Sequence, residues 1–277
     1  MTGARLTARG LTLAYEDRVV VEDLDVAIPD GKVTVIVGPN ACGKSTLLRA
    51  LGRLLKPREG AVLLDDTDLS RVPSGRIAQV VGLLPQTPVA PEGITVADLV
   101  ARGRMPHQKW WRQWSAADEA HVAEAMERTS TLDLAERQVD ELSGGQRQRV
   151  WIAMALAQDT DLLLLDEPTT YLDIAHQVDV LDLVRQLNRE RGRTVVAVLH
   201  DLNQAARYAD HLIAMRAGKI VAQGPPADIV TAELVQDVFG LASVVVADPV
   251  TGGPLVVPGP PRPTERRDGV TGTTPSG

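Results

Sequence analysis

The chain has 277 residues, 44% of them hydrophobic and 23% charged, which is enough apolar material for a substantial core and excludes disorder for most of it. A net charge of -7 excludes a broad basic surface for nucleic acid, because phosphate binding depends on many Lys and Arg contacts. The single cysteine, Cys42, excludes a disulfide framework or a cysteine-rich metal site, and no run approaches the roughly 18 to 20 apolar residues that a membrane helix requires.

Taken in order, the chain opens on MTGARLTARG, which has no apolar stretch of signal-peptide length. From Leu11 to Val37, β-rich runs alternate with turn signals: Leu11 to Tyr15, Val19 to Val21, Val26 to Ile28 and, after Asp30-Gly31, Val33 to Val37. The pattern predicts a small sheet feeding a buried core strand. That strand ends at Gly38, and the helix formers Leu47 to Leu51 lie just beyond.

Between them stands Gly38-Pro39-Asn40-Ala41-Cys42-Gly43-Lys44-Ser45, with Thr46 following, a match to G-x-x-x-x-G-K-[ST] in its required strand-to-helix setting. Its glycines let the backbone wrap closely so that N–H groups face phosphates, and the helix N-terminus adds positive potential. ATP is the expected ligand, with Lys44 on the β and γ phosphates and the Ser45 hydroxyl on Mg²⁺. Cys42, beside a helix N-terminus, is either a reactive thiol whose alkylation blocks ATP or a small filler.

A strand is predicted over Ala61 to Leu64, then turn-rich polar sequence to Gly75. From Thr95 to about Gln158 the periodicity is helical, long enough for a helical subdomain. Two short buried strands follow, Leu162 to Leu165 and Val195 to Leu199, separated by a helical stretch from Ile174 to Arg191, which implies parallel βαβ units. His211 to Gln223 reads as strand, turn and strand.

Asp166 and Glu167 end the first of these strands, where ligands approach an α/β sheet, with Asp166 placed to support Mg²⁺ and Glu167 to polarise an attacking water. His200 ends the next and can reach the same crevice. His107, His121, His176 and His211 are spaced as structural residues rather than as a metal cluster.

Leu142-Ser143-Gly144-Gly145-Gln146 resembles the signature of ABC ATPases and opens a helix running through Ala157, a second N-terminal anion site. The resemblance covers the chain to about residue 240. It implies an α/β fold: an ABC ATPase (P-loop NTPase) with a parallel-sheet, RecA-like core, an antiparallel β subdomain and an α-helical subdomain at about 95–158. In that family the signature faces the γ-phosphate held by a second subunit, so two ATP molecules are sandwiched between two chains. Since the chain has no internal repeat, the second copy must come from another molecule. The resemblance further matches Tyr15 to the aromatic that stacks on adenine, Gln86 to the glutamine linking Mg²⁺ to the transport partner, Asp173 to the D-loop and His200 to the switch histidine. Ala41 departs from the pattern, where many members have glycine. An ordinary negative φ is expected there, because a left-handed alanine costs roughly 1 kcal/mol.

Arg102-Gly103-Arg104-Met105-Pro106-His107 and Thr169 through Gln177 are similar to importers of ferric siderophores, with haem and vitamin B12 importers as near relatives. This resemblance implies a peripheral subunit on the cytoplasmic face of the membrane, paired with a second ATPase subunit beneath ABC permease subunits and fed indirectly by an extracytoplasmic substrate-binding protein, with no nucleic acid involved. A non-transport ABC ATPase is the alternative of another class, but the long coiled coils or tandem cassettes it needs are absent from the sequence. Trp110, Trp111 and Trp114 cluster in a chain with only four tryptophans, either against the permease or inside the helical subdomain. Residues 241–257 read as a C-terminal extension, and 258–277, rich in Pro, Gly, Thr and Arg, as a mobile tail.

Overall fold

The computed structural model describes residues 4–108, 114–170 and 172–260. Its first strands, β1 (Leu6–Tyr15) and β2 (Arg18–Ile28), form an antiparallel hairpin, and β3 (Val33–Val37) is buried at every position. Helix α1 (Lys44–Leu51) follows, then β4 (Glu59–Leu64), β5 (Thr67–Asp68), the short helix α2 (Ser74–Ala78) and β6 (Val81–Leu84). The helical segment consists of α3 (Val96–Ala101), α4 (Ala116–Arg128) and α5 (Gly144–Ala157), joined by 3-10 turns. The second half runs β7 (Leu162–Asp166), α6 (Ile174–Arg191), β8 (Thr194–Val198), α7 (Leu202–Tyr208), β9 (His211–Arg216) and β10 (Lys219–Gly224). It closes with α8 (Pro226–Ile229), α9 (Ala232–Phe239) and a hairpin of β11 (Ser243–Ala247) and β12 (Pro254–Pro258).

The central six-stranded sheet has the order β10-β9-β3-β8-β7-β6, parallel throughout except for β10 at one edge. An antiparallel sheet of order β2-β1-β4-β5 covers one side of it, with α1 packed between the two. Burial on both faces explains why the central strands read as unbroken apolar runs. Alternate residues serve opposite cores: Val35, Val37, Leu163, Leu165, Val195 and Ala197 face the helical layer, whereas Ile36, Leu162, Leu164, Val196 and Val198 face α1 and the antiparallel sheet.

Three features depart from the sequence reading. The runs Val19 to Val21 and Val26 to Ile28 belong to one strand, β2, whose pairing with β1 shifts register between Leu11 and Ala14. Strand β6 has no clear signal in the sequence, because Gly82 interrupts its apolar pattern. A Cβ there would lie 2.7 Å from Thr160 Oγ1, so the glycine permits close approach rather than a turn. Residues 243–258, including Pro258 at the expected start of the mobile tail, form the terminal hairpin. Trp110 and Trp111 lie outside the described residues, while Trp114 is exposed.

Candidate active site

The C-terminal ends of β3, β7 and β8 meet at one crevice, the place where a parallel sheet presents its loops to a ligand. The loop after β3 is shaped by glycine. At Gly38 a Cβ would stand 2.2 Å from the Met215 carbonyl oxygen, and Gly43 caps α1 at a φ of 107° without any side-chain hydrogen bond, leaving the first amides of the helix facing the crevice. Lys44 is buried in the middle of this loop, its Nζ donating to the carbonyls of Gly38 at 2.8 Å and Pro39 at 3.0 Å.

Ala41 does not have the expected negative φ. It sits at 60°, in the left-handed region, as the third residue of a turn closed by the Cys42 N–H to Pro39 carbonyl bond at 3.4 Å, the position that a type II turn holds at positive φ. Cys42 is buried in the apolar cluster beneath α1, and burial pushes its thiol up rather than activating it. It is therefore the small filler: it does not line the crevice, and its sulfur would lie 2.8 Å from a Cβ at Gly38.

Asp166, the last residue of β7, is 2% exposed. Its Oδ1 accepts from Ser45 Oγ at 2.7 Å, while Oδ2 has no hydrogen-bond partner and lies 3.9 Å from the Arg49 guanidinium. Burial raises its pKa, opposed by the Ser45 hydrogen bond and by Arg49. Glu167 follows at a φ of 54°, a strained conformation that turns its side chain back into the crevice. There Oε1 meets His200 Nε2 at 2.7 Å, and Oε2 accepts from Gln86 Nε2 at 2.7 Å and from Thr170 Oγ1 at 3.2 Å.

Several of these groups line an open pocket of about 870 Å³, which Asp166, Arg49 and Thr170 do not border. Of the residues singled out from the sequence, Tyr15, Asn40, Ala41, Gly43, Lys44, Ser45, Thr46, Gln86, Glu167 and His200 border it. Tyr15 is 43% exposed at its rim, its hydroxyl accepting from Arg49 at 3.4 Å. The β9–β10 turn closes the far side, where the Gly218 N–H donates to the Cys42 carbonyl at 2.9 Å. Sequence reasoning missed Arg49 and Thr170, and it placed this turn but not its position beside the crevice. Arg49 had a signal, since it stands four residues after Ser45 on the same helix face; the turn's approach to Cys42 had none.

The signature residues are placed elsewhere. Ser143 caps α5, accepting from the Gln146 N–H at 3.3 Å, while the Gln146 side chain accepts from the Ser143 N–H at 3.1 Å. Ser143, Gly144, Gly145, Gln146 and Asp173, which caps α6, do not line the crevice of their own chain. One chain thus sets its Gly38–Thr46 loop apart from the N-terminus of its α5 helix. Among the described residues no His, Cys, Asp and Glu side chains cluster to hold a metal on their own.

A twisted parallel sheet with this loop and these two carboxylates defines a P-loop nucleotide hydrolase of the ABC ATPase class. Residues 21–170 match the ABC transporter family, and the chain belongs to it as one of its ATP-binding, ATP-hydrolysing subunits. It is 57% identical over 255 residues to the ferric enterobactin transport ATP-binding protein FepC of Escherichia coli (strain K12), covering 92% of this chain and 94% of that protein. It is 54% identical over 262 residues to the achromobactin transport ATP-binding protein CbrD of Dickeya dadantii (strain 3937), covering 94% and 97%. Among solved structures, a metal-chelate type ABC transporter in an inward-facing conformation superposes with a TM-score of 0.79 at 29% identity, over 93% of this chain and 98% of that one.

Proposed function

We propose that this chain is the ATPase of an importer for iron(III)–siderophore complexes, working as a pair beneath partner permease subunits at the cytoplasmic face of the membrane. The observation that carries the motor reading is the separation of the two half-sites: one chain supplies the loop, Lys44, Ser45, Asp166 and Glu167, but holds its own Ser143 helix away from them. A second copy completes each site by presenting Ser143, Gly144, Gly145 and Gln146, with Asp173 beside them, to the nucleotide of the first. Among the described residues no helix is long and apolar enough to cross a membrane, in keeping with a permease supplied separately.

In this reading Tyr15 stacks on adenine, and the amides from Gly38 to Thr46 and the Lys44 ammonium bind the phosphates. Mg²⁺ fits the chain's own donors: the Ser45 hydroxyl and the unpartnered, buried Asp166 Oδ2 are hard oxygen ligands, and Gln86 borders the same pocket as Ser45. When bound, the ion neutralises charge on the β and γ phosphates. Glu167 accepts the proton of the attacking water, which requires Gln86 to give up its hold on Oε2, and His200 keeps the carboxylate oriented through Oε1.

The substrate class follows from the relatives, which are named for ferric enterobactin, achromobactin, petrobactin and iron(3+)-hydroxamate transport. Haem is the second reading, favoured by 42% identity over 91% of this chain to a hemin import ATP-binding protein of Rhodococcus jostii (strain RHA1). Reconstitution with a candidate permease and its binding protein tests both. Stimulation of hydrolysis by a ferric siderophore supports the first, stimulation by haem alone supports the second, and stimulation by neither removes both substrate readings.

A further inference from the structure

The terminal hairpin is attached to the molecule by a contact that leads toward the active site. Asn203, half-buried in the first turn of α7, accepts from the Val256 N–H at 2.7 Å through Oδ1 and donates from Nδ2 to the Val256 carbonyl at 3.1 Å. One side-chain amide thus makes the pair of bonds that a residue of an adjoining antiparallel strand would make. In the hairpin register Val256 faces Val245, Pro254 faces Ala247 and Pro258 faces Ser243. The backbones of residues 254, 256 and 258 therefore point to the same edge, away from β11. Both prolines lack an N–H, so Val256 carries the one donor of the three, and Asn203 takes it.

Asn203 stands three residues after His200. The intervening Asp201 caps α7, accepting from the Gln204 N–H at 2.8 Å, so the turn that holds Asn203 also fixes the backbone leaving His200. On the near side, the Leu199 N–H donates to the Ile36 carbonyl at 3.2 Å. The His200 side chain itself is 45% exposed, and its placement rests on its backbone and on the 2.7 Å contact to Glu167. A shift of about 1 Å in the first turn of α7 takes that contact beyond hydrogen-bonding reach.

We infer that Asn203 is a positioning residue for hydrolysis: through it the β11–β12 hairpin holds α7 and keeps His200 on Glu167. This rests on the proposed role of His200, and the two are separable by experiment. In the full-length chain, Asn203→Leu removes both bonds at similar volume. Val256→Pro removes the N–H while keeping an apolar side chain of similar size where Val256 enters the core, leaves Asn203 and the β11–β12 ladder in place, and provides the measurement should the first variant not fold. Either variant is expected to lower kcat about fivefold or more with KM for ATP within about twofold. Amide hydrogen exchange is expected to rise at residues 199–204 as well as in the hairpin. His200→Ala, measured alongside, reports on the site itself. Folded Asn203 and Val256 variants with wild-type kcat, beside an inactive His200→Ala, would overturn the inference and leave the site reading standing. Wild-type turnover in His200→Ala would remove both.

Discussion

Glu167 has a positive φ and both oxygens engaged, so replacing its charge while keeping its shape separates binding from chemistry. Glu167→Gln is expected to hold nucleotide within about threefold of wild-type affinity and to lose turnover by at least about 100-fold, checked by equilibrium binding and steady-state phosphate release. Asp166 presents the opposite trade. Burial raises its pKa above the ordinary 3.8, so the folded chain binds that proton more tightly than the unfolded chain does. Its contribution to stability therefore declines as pH rises through the interval above 3.8 and is unfavourable at neutral pH. Asp166→Asn is expected to raise the thermal midpoint of the nucleotide-free protein at pH 7 and to abolish the extra midpoint gain that Mg²⁺ gives with ATP. Ala41 marks the limit of reading residues from sequence. Alanine carries no sign of a left-handed backbone, which here accompanies the turn of the loop back toward Pro39. Ala41→Gly is accordingly expected to stabilise the fold by about 0.5 to 1 kcal/mol in denaturant titration. Lys44 and Ser45 were legible because motif spacing places them, His200 because it ends a buried strand, and Gln86 only through the resemblance to ABC ATPases. Thr170 and Arg49 act through contacts that form only once the chain is folded.

Elements with strong periodicity were legible to within a residue or two: the helix read as Ile174 to Arg191 has those bounds, and the apolar runs of β3, β7 and β8 announce strands buried on both faces. Elements whose pattern is broken for a packing reason were not, as Gly82 in β6 shows. The segment Arg102 to His107, noted from its likeness to siderophore importers, is explained by local contacts. Arg104 is buried and pairs with Asp118 at 2.9 Å while donating to the Ala157 carbonyl at 2.8 Å, the last residue of α5. His107 Nε2 lies 2.7 Å from the Gln158 carbonyl, and a Cβ at Gly103 would stand 2.3 Å from the Met154 carbonyl. The segment therefore fastens the end of the signature helix to α4. Arg104→Ala leaves the Asp118 carboxylate and the α5 carbonyl without their partner, and is expected to cost about 3 kcal/mol in denaturant unfolding. Asp118 retains its Ser115 bonds, which keep the cost from being larger.

At the scale of the molecule, two incomplete halves imply that activity belongs to the pair. Turnover per chain is expected to rise with protein concentration until association saturates. Mixing supplies a sharper measurement. A chain carrying Lys44→Ala and one carrying Ser143→Arg, each inactive alone, are expected to recover activity together, since one of the two composite sites in the mixed pair is then intact. No recovery would mean that each chain caps its own nucleotide. The layered α/β architecture and the position of the crevice were legible from the alternation of strands and helices, whereas the attachment of the last hairpin was not, because Asn203 and Val256 are 53 residues apart and no spacing rule links them.

The outward placement of the Ser143 helix has a genetic corollary. In the proposed pair a chain lends its cap to a neighbour, so a copy with a sound association surface but a ruined phosphate loop does not merely fail; it occupies healthy partners. Expressed beside the normal gene, such an allele should behave as a dominant one, and its severity should track its dosage.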